Sequence, residues 1–212
     1  MDLVRSAVEP VSDRRAITRR GRRLQYATIA WNSAEFVVAV VAGLASGSVA
    51  LVGFGVDSAI EVLSSAAALW RLGLDADHAA RERAERRSLR IIGACFLTLA
   101  VYVAWDALAS LTQRQAPEVS RTGLVLAALS LVVMPALVVL KRRVARALAS
   151  GTLAAESRQT EICAYLSAIL LGGLALNATL GWWWADPLAG LAMTPLIARE
   201  GWLALRGETC CD

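Results

Sequence analysis

Two acidic side chains lie in the middle of a long apolar stretch of this sequence. Asp57 and Glu61 are four residues apart, so a helix would place both on the same face. Carboxylates held this close repel each other unless a proton or a cation sits between them. Oxygen ligands at this spacing suit a divalent metal ion. The alternative interpretation is a pair satisfied by Ser, Asn or Arg on neighbouring helices, or one that lines a water-filled cavity.

A second polar face is predicted further along the chain. Its members recur at helical spacing and share one side of the helix: Glu156, Gln159, Thr160, Cys163 and Ser167. Glu161 points elsewhere. A thiolate beside two carboxylates is a credible site for zinc, which accepts Cys, Asp and Glu in tetrahedral geometry. Taken alone, Cys163 fits a small apolar filler better than a ligand, and Gln159 fits the role of orienting a carboxylate or a water.

The elements that position these residues are predicted to be membrane-spanning helices. Hydrophobic residues make up 57% of the 212 positions, and the charged residues collect in short blocks between long apolar stretches. A helix needs about 20 residues to cross the hydrocarbon layer. Stretches of that length occur at roughly 24–46, 49–71, 89–112, 121–140, 152–180 and 183–205. They lack the alternation of barrel strands, so the sequence predicts an all-α bundle of six transmembrane helices.

The basic residues predict the orientation of this bundle. Of the 22 Lys and Arg residues, only Arg114 and Arg121 fall in loops on one side of the membrane. Because basic residues stay on the cytoplasmic side during insertion, both termini are expected in the cytoplasm. The net charge of +4 then reflects topology and contact with anionic membrane lipids. Nucleic acid is not an expected partner, since the Arg blocks lack interleaved aromatic residues.

The chain is divided into a basic cytoplasmic segment, 1–22, a transmembrane domain, 23–206, and a short cytoplasmic tail, 207–212. No cleavable signal peptide is expected, because a long polar segment precedes the first apolar run. A multi-pass protein of the plasma membrane is predicted. In the tail, Cys210 and Cys211 could pass a soft metal to a transport site, although a frayed tail with reduced thiols is the favoured interpretation.

Further acidic residues fall within or beside the predicted spans, where an ionisable side chain calls for an explanation. Glu35 lies three residues after Asn32 and is interpreted either as a proton-pathway group or as a partner of Ser or Thr on a neighbouring helix. Asp106 is expected in an outward-facing aqueous cavity. Asp186, directly before Pro187, is predicted to be the N-cap of the sixth span.

Two adjacent segments resemble spans one and two of the cation diffusion facilitator family. They read Ser46-Gly47-Ser48-Val49-Ala50-Leu51 and Val56-Asp57-Ser58-Ala59-Ile60-Glu61. In that family, a short Gly-Ser turn precedes an acidic pair that binds the transported metal. Span five is similar in frame, with Gln159 and Cys163 at its two ligand positions and Glu156 one turn before. The closing helix is similar around Asp186-Pro187-Leu188-Ala189-Gly190, and the likeness extends from about residue 20 onward.

The resemblance implies a secondary transporter, and not an enzyme, that exports a divalent cation from the cytoplasm in exchange for protons. Zinc is the expected cargo, no prosthetic cofactor is expected, and a homodimer is implied. The implied metal ligands are Asp57, Glu61 and Cys163, with Gln159 or Glu156 completing the shell. The alternatives left open are a transporter of an organic cation and a structural membrane protein without transport.

The sequence also departs from the family pattern. Gln159 and Cys163 stand where the family has His and Asp or two Asp, and Glu61 replaces an Asp. A His-rich cytoplasmic loop is absent, and the family's cytoplasmic C-terminal domain is expected to be missing. The identity of the metal therefore does not follow from the resemblance, nor does regulation through that domain.

Overall fold

The computed structural model describes residues 11–73, 78–114, 117–148 and 151–206. Throughout these ranges the regular structure is helical, without a strand. The helices are α1 (Val11–Ser46), α2 (Val49–Gly73), α3 (His78–Gln113), α4 (Arg121–Ala147), α5 (Gly151–Leu180) and α6 (Ala185–Arg206). This arrangement confirms the predicted all-α, six-helix architecture.

Five of the helices are long and apolar enough to cross a membrane: Ala16–Ser46, Val49–Trp70, Gly93–Gln113, Arg121–Ala147 and Glu156–Leu180. The sixth, α6, is the shortest, at 22 residues, and includes Arg199 and Glu200. It nevertheless packs along α3 and also contacts α5 and α2. The sixth predicted span is therefore present as a helix of the bundle, although α6 is not among the helices long and apolar enough to cross a membrane.

The helices extend beyond the apolar stretches from which they were predicted. Helix α1 begins at Val11, α3 at His78, and α4 continues to Ala147. These extensions are rich in Arg, Ala and Glu, which favour helix as strongly as the apolar residues do. Hydropathy identifies the part of a helix that crosses lipid, but not the residues at which the helix begins and ends. The predicted boundary between residues 22 and 23 consequently falls inside α1.

Helix α2 is the central element, because it contacts α1, α3, α5 and α6. The strongest helix pairs are α1 with α2, α3 with α6, and α4 with α5. Large side chains from several helices fill the interior, with Phe54, Met134, Leu166 and Met193 all fully buried. The acid-bearing helix is thus enclosed by protein on most sides.

A Gly-Ser turn joins α1 to α2 in a conformation that its sequence explains. Gly47 has φ +69, a left-handed value that glycine adopts without steric strain. The Ser48 hydroxyl oxygen accepts a hydrogen bond from the Leu51 amide at 3.1 Å, which caps the start of α2. The turn therefore sets where α2 begins, and with it the positions of Asp57 and Glu61 along the helix.

The prediction that Asp186 is the N-cap of the sixth span is wrong. Helix α6 begins at Ala185, so Asp186 lies inside the first turn. Its buried carboxylate accepts a hydrogen bond from the Ser48 hydroxyl and lies against the backbone N–H groups of Val49 and Ala50. The free N–H groups and positive dipole end of α2 attract the carboxylate more effectively than α6 does. Asp186 thus ties the start of α6 to the start of α2.

The contact between α3 and α6 depends on two facing glycines. A Cβ added at Gly93 would lie 2.7 Å from the Gly201 carbonyl oxygen and 2.8 Å from the Leu205 backbone nitrogen. Both distances are shorter than van der Waals contact. Small residues permit this close approach of two helices in a membrane protein.

We expect Gly93→Ala to lower the free energy of unfolding by about 1–3 kcal/mol, because overpacking must shift backbone. Gly172→Ala is the matched control, since a Cβ at this helical glycine of α5 would meet nothing within 4 Å. The control should be neutral or slightly stabilising, as Ala favours helix over Gly. Thermal unfolding in detergent, followed by Trp fluorescence, measures both variants. Equal shifts would show that the α3–α6 approach is not close.

Candidate functional site

The acidic pair of α2 lies inside the bundle. Asp57 is 4% exposed and Glu61 is 1% exposed, and both face α5. The Cys163 thiol of α5 lies within interaction range of both carboxylates. The structure therefore brings together the two acids and the cysteine that the sequence singled out, on adjoining faces of α2 and α5.

The two oxygens of Glu61 have different surroundings. Oε1 accepts a hydrogen bond from the Thr160 hydroxyl at 2.5 Å and lies 3.6 Å from Lys141 Nζ. Oε2 is buried and has no hydrogen-bond partner within the described ranges. A buried carboxylate oxygen without a partner is unfavourable, so this atom is suited to accept a cation or a proton.

Lys141 of α4 forms a polar cluster beside this acidic pair. Its ammonium donates to Glu156 Oε1 at 3.1 Å and to Thr160 Oγ1 at 2.9 Å. Glu156 also accepts hydrogen bonds from Gln25 of α1 and from Ser65 of α2, the latter at 2.9 Å. Four helices therefore meet at one buried carboxylate, and the Lys141 side chain is itself 1% exposed.

Sequence reasoning missed Lys141, because it was counted with the basic block that follows span four. One feature of the sequence does distinguish Lys141 from the other basic residues. Lys141 is the only lysine in the chain, and the other 21 of the 22 basic residues are arginines. A single lysine at the end of an apolar span, among arginines, indicates a position where the shape of the cation matters.

The other polar residues of α5 differ in how deeply they are buried. Thr160 and Ser167 are fully buried, as predicted for that face. Gln159 is half-buried, and its Nε2 has no hydrogen-bond partner in the described part of the chain. Glu161 lies apart and pairs with Arg142 at 2.5 Å near the surface. The predicted inward face is thus observed, with Gln159 at its edge.

The candidate ligands do not form a finished coordination shell. Among the described residues, no three His, Cys, Asp or Glu side chains are placed closely enough to hold a metal ion. Glu61 Oε1 is engaged by the Thr160 hydroxyl and lies beside Lys141. Glu156 is also drawn toward Lys141 and away from the pair. A bound ion would have to draw these side chains together.

Glu35 forms a second buried polar site, between α1, α2 and α4. It is 1% exposed and accepts hydrogen bonds from Ser58, at 2.8 Å, and from Ser130. The nearby Asn32 donates to the Thr28 carbonyl oxygen at 3.1 Å. The predicted partnership of Glu35 with hydroxyl groups of neighbouring helices is therefore observed, and it links α4 to the helices that surround Asp57.

Asp106 of α3 lies away from these clusters. It is half-buried, and the hydroxyl of Tyr102, one helical turn earlier, donates to it at 3.4 Å. The two cysteines of the tail, Cys210 and Cys211, lie outside the described residues. Asp106 therefore does not contribute to the site between α2 and α5.

Most of the chain is similar to one known protein domain. The model of the cation efflux transmembrane domain matches residues 26–207, which includes all six helices apart from the first part of α1. No curated protein matches the chain.

Proposed function

Because the chain belongs to the cation efflux family, a family of membrane cation transporters, we propose that it exports a divalent metal ion, zinc, from the cytoplasm by exchange for protons. One observation carries the proposal. Glu61 Oε2 is a buried carboxylate oxygen without a hydrogen-bond partner in the described ranges, and it belongs to an acidic pair that faces Cys163. An anionic group in this position is stabilised by a cation.

The residues near the acidic pair fit the coordination chemistry of zinc. Asp57 and Glu61 would supply carboxylate oxygens and Cys163 a thiolate, a mixed oxygen and sulfur set that zinc accepts in tetrahedral geometry. Gln159, at the edge of the same face, or Glu156 would complete the shell. For Glu156 to do so, its carboxylate must leave Lys141, whereas Gln159 Nε2 has no hydrogen bond to give up among the described residues.

Proton exchange follows from the same ligands. Carboxylates and a thiol must be deprotonated to coordinate a metal, so protons and metal compete for one site. Rocking of the helices around that site would expose it alternately to each side of the membrane. The proposal places the protein in the plasma membrane with both termini in the cytoplasm, and as a homodimer, as the family resemblance implies.

The contribution of Cys163 gives a direct test of metal choice. We expect isothermal titration of the purified protein to show binding of Zn²⁺ and Cd²⁺ and little binding of Mg²⁺, because a thiolate favours the softer ions. Cys163→Ser should weaken Cd²⁺ binding by about tenfold or more, equal to about 1.4 kcal/mol. Cys95→Ser is the matched control, since this half-buried cysteine belongs to α3.

One outcome would contradict the proposed function, and another would change its ligand set. A wild-type protein that binds none of these metals, but binds a lipophilic amine that Asp57→Ala does not, would identify an organic-cation transporter, because buried acids also bind such cations. Identical Cd²⁺ affinities in wild type and Cys163→Ser would remove the cysteine from the ligand set and leave the two carboxylates as the core of the site.

A further inference from the structure

The cation nearest to the acidic pair is part of the chain itself. Lys141 Nζ lies 3.6 Å from Glu61 Oε1 and 3.1 Å from Glu156 Oε1. Thr160 connects the ammonium to the acidic pair, because its hydroxyl accepts from Lys141 and donates to Glu61. The side chains of Lys141 and Glu61 are each 1% exposed, so water screens their attraction very little.

The chemistry of lysine makes this ammonium comparable to a bound metal ion. It is a compact cation, and three oxygen atoms surround it, one each from Glu61, Glu156 and Thr160. A guanidinium would instead present a planar fork of donors that matches one carboxylate. The chain uses arginine at its other 21 basic positions, out of 22, and lysine only here.

We infer that Lys141 is a tethered cation that competes with the transported metal for Glu61 and thereby sets the affinity of the site; this inference rests on the proposed function. When ionised, Asp57, Glu61 and Glu156 carry three negative charges, and Lys141 carries one positive charge. Lys141 therefore offsets one of the negative charges beside the metal ligands. Without Lys141, that charge would not be offset, and the metal would be held more tightly.

Moderate affinity serves transport, because an ion that binds too tightly does not leave the site. Lys141 lies on α4, whereas Glu61 lies on α2 and Glu156 on α5. Movement between these helices changes the distance from the ammonium to Glu61. When Lys141 approaches Glu61, it weakens metal binding, and when it withdraws toward Glu156, it restores binding.

The test is isothermal titration with Zn²⁺ of wild type, Lys141→Gln and Lys141→Arg. Lys141→Gln should bind zinc about tenfold or more tightly than wild type, because a positive charge beside the ligands has been removed. Lys141→Arg keeps the charge, although not the compact shape, so its zinc affinity should stay below that of Lys141→Gln. Arg142→Gln is the matched control, since this neighbouring cation pairs with Glu161 near the surface, and its affinity should not change.

A tighter zinc affinity separates this role from a merely structural one. If Lys141 only held Glu61 in place, Lys141→Gln would bind zinc more weakly, and that result would overturn the inference. Unchanged affinity in Lys141→Gln, with normal zinc binding by wild type, would also overturn it. Absence of zinc binding in wild type would instead refute the proposed function.

A second measurement needs no variant and covers the case in which Lys141→Gln does not fold. Because the chain has one lysine, isotope-labelled lysine gives a single side-chain NMR signal. Saturating Zn²⁺ should move this signal as the ammonium leaves Glu61, whereas Mg²⁺ should not. A signal that stays unmoved at zinc concentrations that saturate the calorimetric binding would contradict the competition.

Discussion

Asp57→Ala is expected to abolish metal flux in proteoliposomes with an imposed pH gradient, a loss of at least about a hundredfold, since even outer-shell changes cost ten- to a hundredfold in metal affinity. The substitution removes one of two carboxylates that face Cys163 inside the bundle. A fluorescent indicator inside the liposomes measures the flux. The single remaining carboxylate, Glu61, is already shared with Thr160 and Lys141, so it cannot replace the missing ligand.

The stability of Asp57→Ala distinguishes a lost ligand from a misfolded protein. Removal of a buried carboxylate that is repelled by Glu61 should leave the thermal midpoint unchanged or raise it. Asp106→Ala is the control for flux, because this half-buried acid of α3 contacts Tyr102 and lies away from the site, and its flux should be retained. Normal flux in Asp57→Ala would exclude Asp57 from the transport site.

Glu156→Ala is expected to cause a large loss of stability, about 3–5 kcal/mol, because it removes the nearer of the two carboxylates that compensate a buried positive charge. The affected charge is Lys141, which would keep only its contacts with Thr160 and Glu61. Gln25 and Ser65 would lose their acceptor as well. Thermal unfolding in detergent, followed by the fluorescence of the chain's 7 tryptophans, measures the change.

Glu161→Ala provides a closely matched comparison. Glu161 is also on α5 and also pairs with a cation of α4, Arg142, but the two side chains are 32% and 41% exposed. Exposed pairs contribute about 0–1 kcal/mol, so this variant should unfold at nearly the wild-type temperature. Equal destabilisation of the two variants would show that the Lys141–Glu156 pair is not buried in the membrane-embedded protein.

Local patterns in the sequence were sufficient to predict the helices and the acidic face of α2. Length and hydropathy predicted six helices, five of which are long and apolar enough to cross a membrane, since lipid requires about 20 apolar residues and satisfied backbone groups. The spacing of Asp57 and Glu61 placed both on one buried face, which the structure confirms. These properties depend on residues close together in the chain, so they can be read from the sequence.

The partners of the buried charges could not be predicted in the same way. Asp186 contacts Ser48, and Glu156 contacts Gln25, pairs that lie far apart in the chain. Such contacts depend on which helices adjoin and at what depth, and no spacing rule encodes either. Lys141 was interpreted only through its charge, which placed it among the cytoplasmic arginines, although its depth and its neighbours determine what it does.

The contact of Asp186 with the first turn of α2 restricts how the bundle can move. This contact lies at the ends of α2 and α6 that are predicted to face the outside, and separating them there would leave a buried carboxylate and the first N–H groups of α2 without partners. The two helices can diverge more readily at their opposite ends. Displacement of α2 against α6 should therefore be smallest at the end predicted to face the outside and grow toward the opposite end, so that the third and fourth turns of α2, where Asp57 and Glu61 lie, tilt about a fixed point.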